Sequence, residues 1–238
     1  MFIPIYDRNP LKSIPFQYVT VTIIALNIAT YLLFLAGLIP FSTDGQVSFA
    51  LVPSELLTQD PFQPTNVMVS AGSFPVPARA TLVSYMFLHS NLIHLTGNML
   101  FLWVFGDNVE DAMGHIRFIM FYVMCGIFAG LVHAWVLPHS EIPLIGASGA
   151  VAGVIAAYLI LHPRVKIWVL ALWRIPLRIS AAWALGFWVL LQLFNAFSAI
   201  DDNIAWWAHV GGLAAGGVLI LFMRRPGVRL FDKTQGGA

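Results

Sequence analysis

Four polar side chains stand within long apolar stretches of the sequence: His94, Asn98, Ser148 and His209. A polar side chain is costly in such surroundings, so its presence is informative. A serine hydroxyl beside an imidazole is the basic pair of nucleophilic catalysis, in which the histidine takes the proton of the attacking serine. We therefore predict Ser148 as the nucleophile and His209 as the general base, provided that the fold brings them together.

The apolar stretches define the elements that carry these residues. A helix needs about 20 mostly apolar residues to cross the hydrocarbon of a bilayer. We predict six such spans, at residues 16–39, 91–105, 116–137, 144–161, 179–199 and 204–223. Lipid offers no partner to free backbone groups, so each span must be helical. The predicted fold is an all-α membrane protein with a six-helix domain at 16–223, between a segment at 1–15 and a tail at 224–238.

Composition and charge agree with a membrane protein. Hydrophobic residues make up 59% of the chain and charged residues 10%, whereas a soluble domain is about 25% charged. A net charge of +1 gives no reason to expect nucleic acid as a partner. Cys125 is the single cysteine, which excludes an intramolecular disulfide and favours a buried apolar role. With both termini inside, eleven of the twelve basic residues lie on the inner side, so we predict cytoplasmic termini.

Two long loops have mixed composition. The outer loop at about 41–86 is rich in Pro, Gly and Ser but contains the apolar run 49–52, so we expect part of it to lie on or in the outer leaflet. The inner segment at 162–178 places Arg and Lys among Trp168, Leu170 and Trp173. This mixture is typical of an interfacial segment that faces anionic lipid.

Depth and helix phase bring the four polar residues to one level. The second, fourth and sixth spans run in the same direction, which places these residues roughly 5–10 Å below the outer end. Small residues surround Ser148 and follow His209 at Gly212 and Gly216, and such residues let two helices approach closely. His89 is five residues before His94, about 140° round a continuous helix, so we expect it to point elsewhere.

The same residues are also compatible with other roles, whereas the sequence lacks the motifs of other protease classes. Each of the four side chains, taken alone, is also compatible with simple packing or an interhelical hydrogen bond. A zinc protease needs His-Glu-x-x-His, which the second span lacks. An aspartyl protease needs paired carboxylates, whereas Asp107 and Asp111 fall past the inner end of the span. We expect a Ser–His dyad without a carboxylate, and no metal or cofactor.

Three ordered motifs resemble the rhomboid family of intramembrane serine proteases. They are His94-x-x-x-Asn98, Gly146-Ala147-Ser148-Gly149, and Ala208-His209-Val210-Gly211-Gly212-x-x-x-Gly216. The stretch Gly106-x-x-x-Glu110-x-x-x-Gly114 also looks like the family's turn after the second helix. The resemblance covers residues 17–223. It implies a rhomboid-like six-helix core, an outer loop that dips into the membrane, and transmembrane proteins as substrates.

The sequence departs from the family pattern at two places. Some bacterial members carry a Trp-Arg pair before the second helix, where this chain reads Arg79-Ala80-Thr81. Some members place an aromatic four residues after the nucleophile, where it stacks on the histidine. Here that residue is Ala152, so another group must orient His209. Gln192 and Asn195 lie in the fifth span and receive no role.

The expected reaction needs donors for a tetrahedral oxyanion. The candidates are the Asn98 amide, a His94 N–H and the backbone N–H of Ser148. The alternative is a protein without catalysis: a rhomboid-like binder of transmembrane clients, or a small transporter. The short N-terminal segment and six-span core favour a bacterial inner membrane over an organelle, and the sequence sets no oligomeric state.

Overall fold

Helices dominate the fold. The computed structural model describes residues 2–38, 49–58, 76–171, 174–198 and 204–232, and within them it contains eight α-helices and one small sheet. Two short helices, α2 (Pro53–Thr58) and α3 (Thr81–Ser84), lie in the first long loop. The six long helices are α1 (Tyr18–Leu35), α4 (Leu92–Met113), α5 (His115–Val136), α6 (Ser148–Leu161), α7 (Ala181–Ser198) and α8 (Trp206–Met223).

Four of the long helices, α1, α5, α7 and α8, are long and apolar enough to cross a membrane. Helix α6 is apolar but has only 14 residues, and the 22 residues of α4 include several polar side chains. The outward faces are apolar, with Trp135, Trp183 and Phe222 each 78–79% exposed. So much exposed aromatic surface suits lipid rather than water. The prediction of membrane-spanning helices is therefore confirmed, while the count of six spans is not.

Helix α6 is the centre of the bundle. Residues 149–158 are all buried, and most of them are Gly, Ala or Val. Helices α4, α5, α7 and α8 all pack against α6. Because neighbouring helices cover it, a short α6 does not have to match the thickness of the lipid.

The second predicted span is longer than expected. Helix α4 continues through Glu110 to Met113, and the turn comes at Gly114, which has φ +82°. The interpretation of residues 106–114 as a turn is therefore wrong in its extent. The helix can carry acidic residues here because their oxygens accept hydrogen bonds. Glu110 accepts from the N–H groups of Val19 (3.0 Å) and Thr20 (2.8 Å), from the Thr20 hydroxyl (2.7 Å), and from His115 Nδ1 (2.5 Å).

Asp111 holds the chain segment that enters α1. Its carboxylate accepts the backbone N–H groups of Lys12 (3.0 Å), Ser13 (2.7 Å) and Ile14 (2.8 Å). Asp107 and Asp111 were expected past the end of the second span, whereas both lie within α4. The predicted end of the span at Phe105 is wrong because it was placed just before the first charged residues. The carboxylates of Glu110 and Asp111 instead accept hydrogen bonds inside the protein.

The fold is mostly helical, as predicted, but it is not all-α. Strands β1 (Phe2–Asp7), β2 (Lys166–Ala171) and β3 (Ile175–Ser180) form an antiparallel sheet in the order β1-β2-β3. The sheet lies at the end of the bundle opposite Ser148. The buried Ile167 and Val169 alternate with less buried residues along β2, which is the period of a half-buried strand. The segment expected at the lipid interface is thus largely a β-hairpin, and Trp173 lies outside the described residues.

A hydrogen bond to the buried Asp7 carboxyl group connects strand β1 to α6. The Tyr158 hydroxyl donates to Asp7 Oδ2 at 2.5 Å. Burial raises the pKa of Asp7 to about 6, because removal from water disfavours the charged form. This contact ties the first residues of the chain to the helix that begins with Ser148.

The first long loop packs on the protein where the structure describes it. Ala50, Leu51 and Val52 are buried, and Leu51 pairs with Leu144 through backbone hydrogen bonds of 3.1 and 2.8 Å. The apolar run expected in the outer leaflet therefore covers the bundle. The rest of that loop, at residues 39–48 and 59–75, lies outside the described residues.

Candidate active site

Ser148 is the first residue of α6, preceded by a loop that ends in an unusual backbone conformation. Gly146 has φ +118°, a value that L side chains rarely adopt. Its N–H donates to the Tyr85 carbonyl at 2.9 Å, which fixes the approach to the helix. The sequence placed Ser148 about four residues into its span. Because it begins the helix instead, its backbone N–H is one of the first-turn donors that have no partner within the helix.

His209 is the fourth residue of α8, and the structure brings it to Ser148. The Ser148 Oγ lies 2.8 Å from His209 Nε2. The glycines that follow His209 make this approach possible. A Cβ added to Gly212 would lie 1.9 Å from the Gly149 carbonyl oxygen, and one added to Gly216 would lie 2.2 Å from that of Gly153. The two backbones are therefore in direct contact below the hydrogen bond.

The other nitrogen of the His209 ring contacts α7. His209 Nδ1 lies 2.8 Å from Gln192 Oε1, and Gln192 Nε2 donates to the Trp188 carbonyl at 3.1 Å. The Trp188 ring is roughly parallel to the imidazole at 6.3 Å, and Trp206 meets it edge-on at 5.8 Å. These groups contact the imidazole of His209, as an aromatic side chain at position 152 would do in some family members. Gln192 was missed as a site residue, although its amide in an apolar span was a usable signal.

His94 and Asn98 lie on the other side of the loop before Ser148. A Cβ on Gly146 would lie 2.7 Å from His94 Nε2 and 3.8 Å from Asn98 Nδ2. The Asn91 side chain caps α4 by accepting the His94 N–H at 2.9 Å, which fixes the start of the helix. Both side chains therefore border the backbone that leads into Ser148.

His89 belongs to the same group, so the prediction that it points elsewhere is wrong. The Asn98 amide donates to His89 Nε2 at 3.0 Å, and the His89 and His94 rings meet edge-on at 5.0 Å. The prediction assumed a helix that extends back to His89. Helix α4 begins at Leu92, after a 3₁₀ turn at Tyr85–Phe87 and an extended Leu88, so the angular argument does not apply.

Within the described residues, no group of three or more His, Cys, Asp or Glu side chains is placed to hold a metal ion. The chemistry that the arrangement offers is that of a hydroxyl, an imidazole and several N–H donors. These are the functional groups that an acyl-transfer reaction uses.

Comparison with known protein families finds one whose domain matches this chain. The Rhomboid domain matches residues 78–226, which is more than half of the sequence and includes all the residues of the candidate site. The chain belongs to the rhomboid family. The predicted resemblance is thereby confirmed.

Relatives of this rhomboid come from bacteria and from organelles. RHOMBOID-like protein 12, mitochondrial, of Arabidopsis thaliana is 26% identical over 174 residues, which cover 66% of this chain and 50% of the relative. Rhomboid protein 1, mitochondrial, of Saccharomyces cerevisiae is 29% identical over 150 residues, or 59% and 41% of the two chains. The YdcA rhomboid of Bacillus subtilis is 30% identical over 142 residues, or 60% and 65%. The chain spans less than two thirds of each of these relatives.

Proposed function

We propose that this rhomboid is an intramembrane serine endopeptidase in which Ser148 is the nucleophile and His209 the general base. The observation that carries the proposal is the 2.8 Å contact between Ser148 Oγ and His209 Nε2. It joins side chains 61 residues apart in the sequence, on two helices whose backbones touch. A nucleophile and a base within hydrogen-bond reach are the geometric requirement for covalent catalysis.

The reaction follows from this geometry. Ser148 Oγ bonds to the carbonyl carbon of the scissile peptide while its proton passes to His209 Nε2, and the carbonyl electrons move onto oxygen. Collapse of this intermediate breaks the C–N bond, and His209 gives its proton to the leaving amine. A water molecule then loses a proton to His209 and its oxygen attacks the ester carbonyl. The bond between the acyl carbon and Ser148 Oγ breaks, His209 returns the proton to Oγ, and the new carboxylic acid leaves. Serine and histidine thus return to their starting protonation states.

The oxyanion would meet donors that are already in place. The Ser148 N–H is free of helical bonding, and the positive end of the α6 dipole lies at the same point. His94 and Asn98 border Gly146, two residues before the nucleophile. One such donor is worth about 3 kcal/mol of transition-state stabilisation, or roughly 10²–10³ in rate. We assign His94, Asn98 and the Ser148 backbone to this role.

The proposal includes a membrane arrangement. All six long helices cross the bilayer, with both termini in the cytoplasm and Ser148 near the outer face. The basic residues support this orientation, since eleven of twelve would lie inside. We propose a bacterial cytoplasmic membrane; one of the relatives comes from Bacillus subtilis, whereas others carry mitochondrial or chloroplastic names. A reporter that is active only outside the cytoplasm should be silent when fused after Ala238, and activity there would overturn the orientation.

The substrates are transmembrane proteins with a segment that unwinds near its outer end. A hydrogen-bonded helix hides its peptide carbonyls from attack, so the scissile segment must first become extended. Gly and Pro lower the cost of unwinding by about 1 and 3 kcal/mol relative to Ala. Replacing such residues with Leu in a cleaved segment should slow cleavage although hydrophobicity rises. Unchanged or faster cleavage at equal membrane insertion would contradict this selectivity.

A fluorophosphonate reagent tests the catalytic assignment directly. Wild-type protein in detergent should be labelled at Ser148, and it should cleave a transmembrane substrate. Ser148→Ala and His209→Ala should lose both activities while melting near the wild-type temperature. Ser198→Ala, at the exposed end of α7, is the matched control and should behave as wild type. Wild-type cleavage by pure Ser148→Ala would refute the proposal, and client binding without any labelling would favour the non-catalytic alternative.

A further inference from the structure

We infer that Gln192 is a third member of the candidate catalytic unit: it positions His209 by fixing which ring nitrogen carries the proton. This inference rests on the proposed function. It concerns a residue on α7, a different helix from those that carry the nucleophile and the base. Gln192 touches the base and not the reacting atoms, so it is a positioning residue.

Trp188, Gln192, His209 and Ser148 form a series of hydrogen bonds. The Trp188 carbonyl at one end of the series determines the direction of each bond. The Trp188 carbonyl can only accept, so the group that faces it at 3.1 Å must be the amide NH₂ of Gln192. The amide oxygen of Gln192 then faces His209 Nδ1 at 2.8 Å. An amide oxygen can only accept, so Nδ1 carries the ring proton. His209 Nε2 is thereby left with a lone pair, which faces Ser148 Oγ at 2.8 Å.

This polarity is the one that a general base needs. A neutral imidazole has one donor and one acceptor nitrogen, and only the acceptor can take the serine proton. Without a partner at Nδ1, the ring can also place its proton on Nε2 and donate to Ser148, which is unproductive. In serine proteases with a triad, a buried aspartate selects the tautomer. Here a neutral amide, itself oriented by a backbone carbonyl, selects the tautomer without adding a charge to the membrane interior.

Burial makes the arrangement specific. Gln192 is 5% exposed and His209 is 9% exposed, so water competes weakly for either partner. The Trp188 and Trp206 rings pack on the imidazole and limit its rotation. The rings restrict where the imidazole lies, and the amide determines which nitrogen faces the serine.

The test compares two substitutions of nearly equal size. Gln192→Met keeps the volume and removes the acceptor, so labelling of Ser148 and kcat should fall about 10–100-fold, the effect of losing one hydrogen bond of roughly 1.4–2.7 kcal/mol. KM and the melting temperature should change little. Gln192→Glu keeps an oxygen that accepts from Nδ1, either as the neutral acid or as the carboxylate, and should label within about threefold of wild type at its optimal pH. Asn195→Leu, on the same helix, controls for loss of an amide.

The outcomes separate this inference from the proposed function. If wild-type labelling depends on Ser148 and His209 but Gln192→Met labels within threefold of wild type, the positioning role is refuted and the dyad stands. If Gln192→Glu is as slow as Gln192→Met, an acceptor at this position is not what matters, and the inference is again refuted. If Gln192→Met melts early, the Gln192→Glu result decides alone. Absence of wild-type labelling would refute the dyad itself.

Discussion

Close packing of α6 on α8 should control the rate of catalysis, and Gly212→Ala is the sharpest way to test this. The Cβ of the new alanine would lie 1.9 Å from the Gly149 carbonyl oxygen, whereas ordinary contact begins near 3.4 Å. The obstacle is backbone, which cannot rotate away as a side chain can. The two helices would therefore have to separate locally by about 1.5 Å, the difference between 3.4 and 1.9 Å.

The separation acts directly on the candidate dyad. Gly212 lies one turn below His209, so a full transfer of the shift would stretch the 2.8 Å contact with Ser148 to about 4.3 Å. A separation above about 3.5 Å is not a hydrogen bond. A misplacement of about 1 Å typically costs on the order of 10²-fold in rate. We expect cleavage and fluorophosphonate labelling to fall at least 100-fold, with a loss of stability of about 1–3 kcal/mol from overpacking.

Gly217→Ala is the matched control on the same helix. Its Cβ would meet Ile160 Cδ1 at 3.7 Å, which is ordinary contact, so activity should stay near wild type. Both variants are compared in detergent by cleavage of a transmembrane substrate, by labelling and by thermal melting. Gly212→Ala that labels at more than a third of the wild-type rate would show that the contact between α6 and α8 does not set the geometry of the dyad. Equal losses in both variants would implicate general disruption of α8 instead.

Three further predictions concern the surroundings of the dyad. His94→Ala and Asn98→Ala should each slow cleavage about 10–10³-fold while the nucleophile is still labelled; loss of labelling would indicate a structural role. Glu110→Gln should lower the free energy of unfolding by roughly 1.5–3 kcal/mol in melting experiments, with Glu141→Gln, at an exposed loop residue, as the control that changes little. Burial raises the pKa of Asp7 from 3.8 to about 6, so its contribution to stability is full below about pH 4 and is lost as pH rises through about 6. Asp7→Asn should abolish that loss between pH 5 and pH 8, and an unchanged melting profile would contradict the assignment.

The candidate site was predictable from the sequence because polar residues are rare in apolar spans. His94, Asn98, Ser148 and His209 stood out for that reason, and their spacing indicated that they share a level. The glycines at positions 212 and 216 indicated which helices touch. Exact helix starts were not predictable, because an apolar loop residue and an apolar helix residue look alike at Leu144–Ala147. The exact start of the helix decides whether the Ser148 N–H has a hydrogen-bond partner within the helix.

The missed features depend on contacts between distant parts of the chain. Hydropathy ended the second span before Asp107, since it cannot show that the first turn of α1 supplies N–H donors to Glu110 and that the backbone before α1 supplies them to Asp111. The sheet was missed because β1 and β2 are more than 150 residues apart and each is short. His89 was misassigned by assuming a continuous helix, which the extended Leu88 breaks.

The two sides of His209 are held by helices that differ in how firmly they are packed. On the Ser148 side, the backbones of α6 and α8 touch at glycine residues. On the Gln192 side, α7 buries mainly Ala181, Ala184, Leu185 and Ala196, while most of its large residues other than Trp188 face outward. Helix α7 therefore packs less extensively against α8 than α6 does. A displacement of α7 would therefore break the Gln192 contact before the contact between Ser148 and His209. If Gln192 selects the tautomer as we infer, the position of the proton on the His209 ring would depend on a helix that does not carry His209.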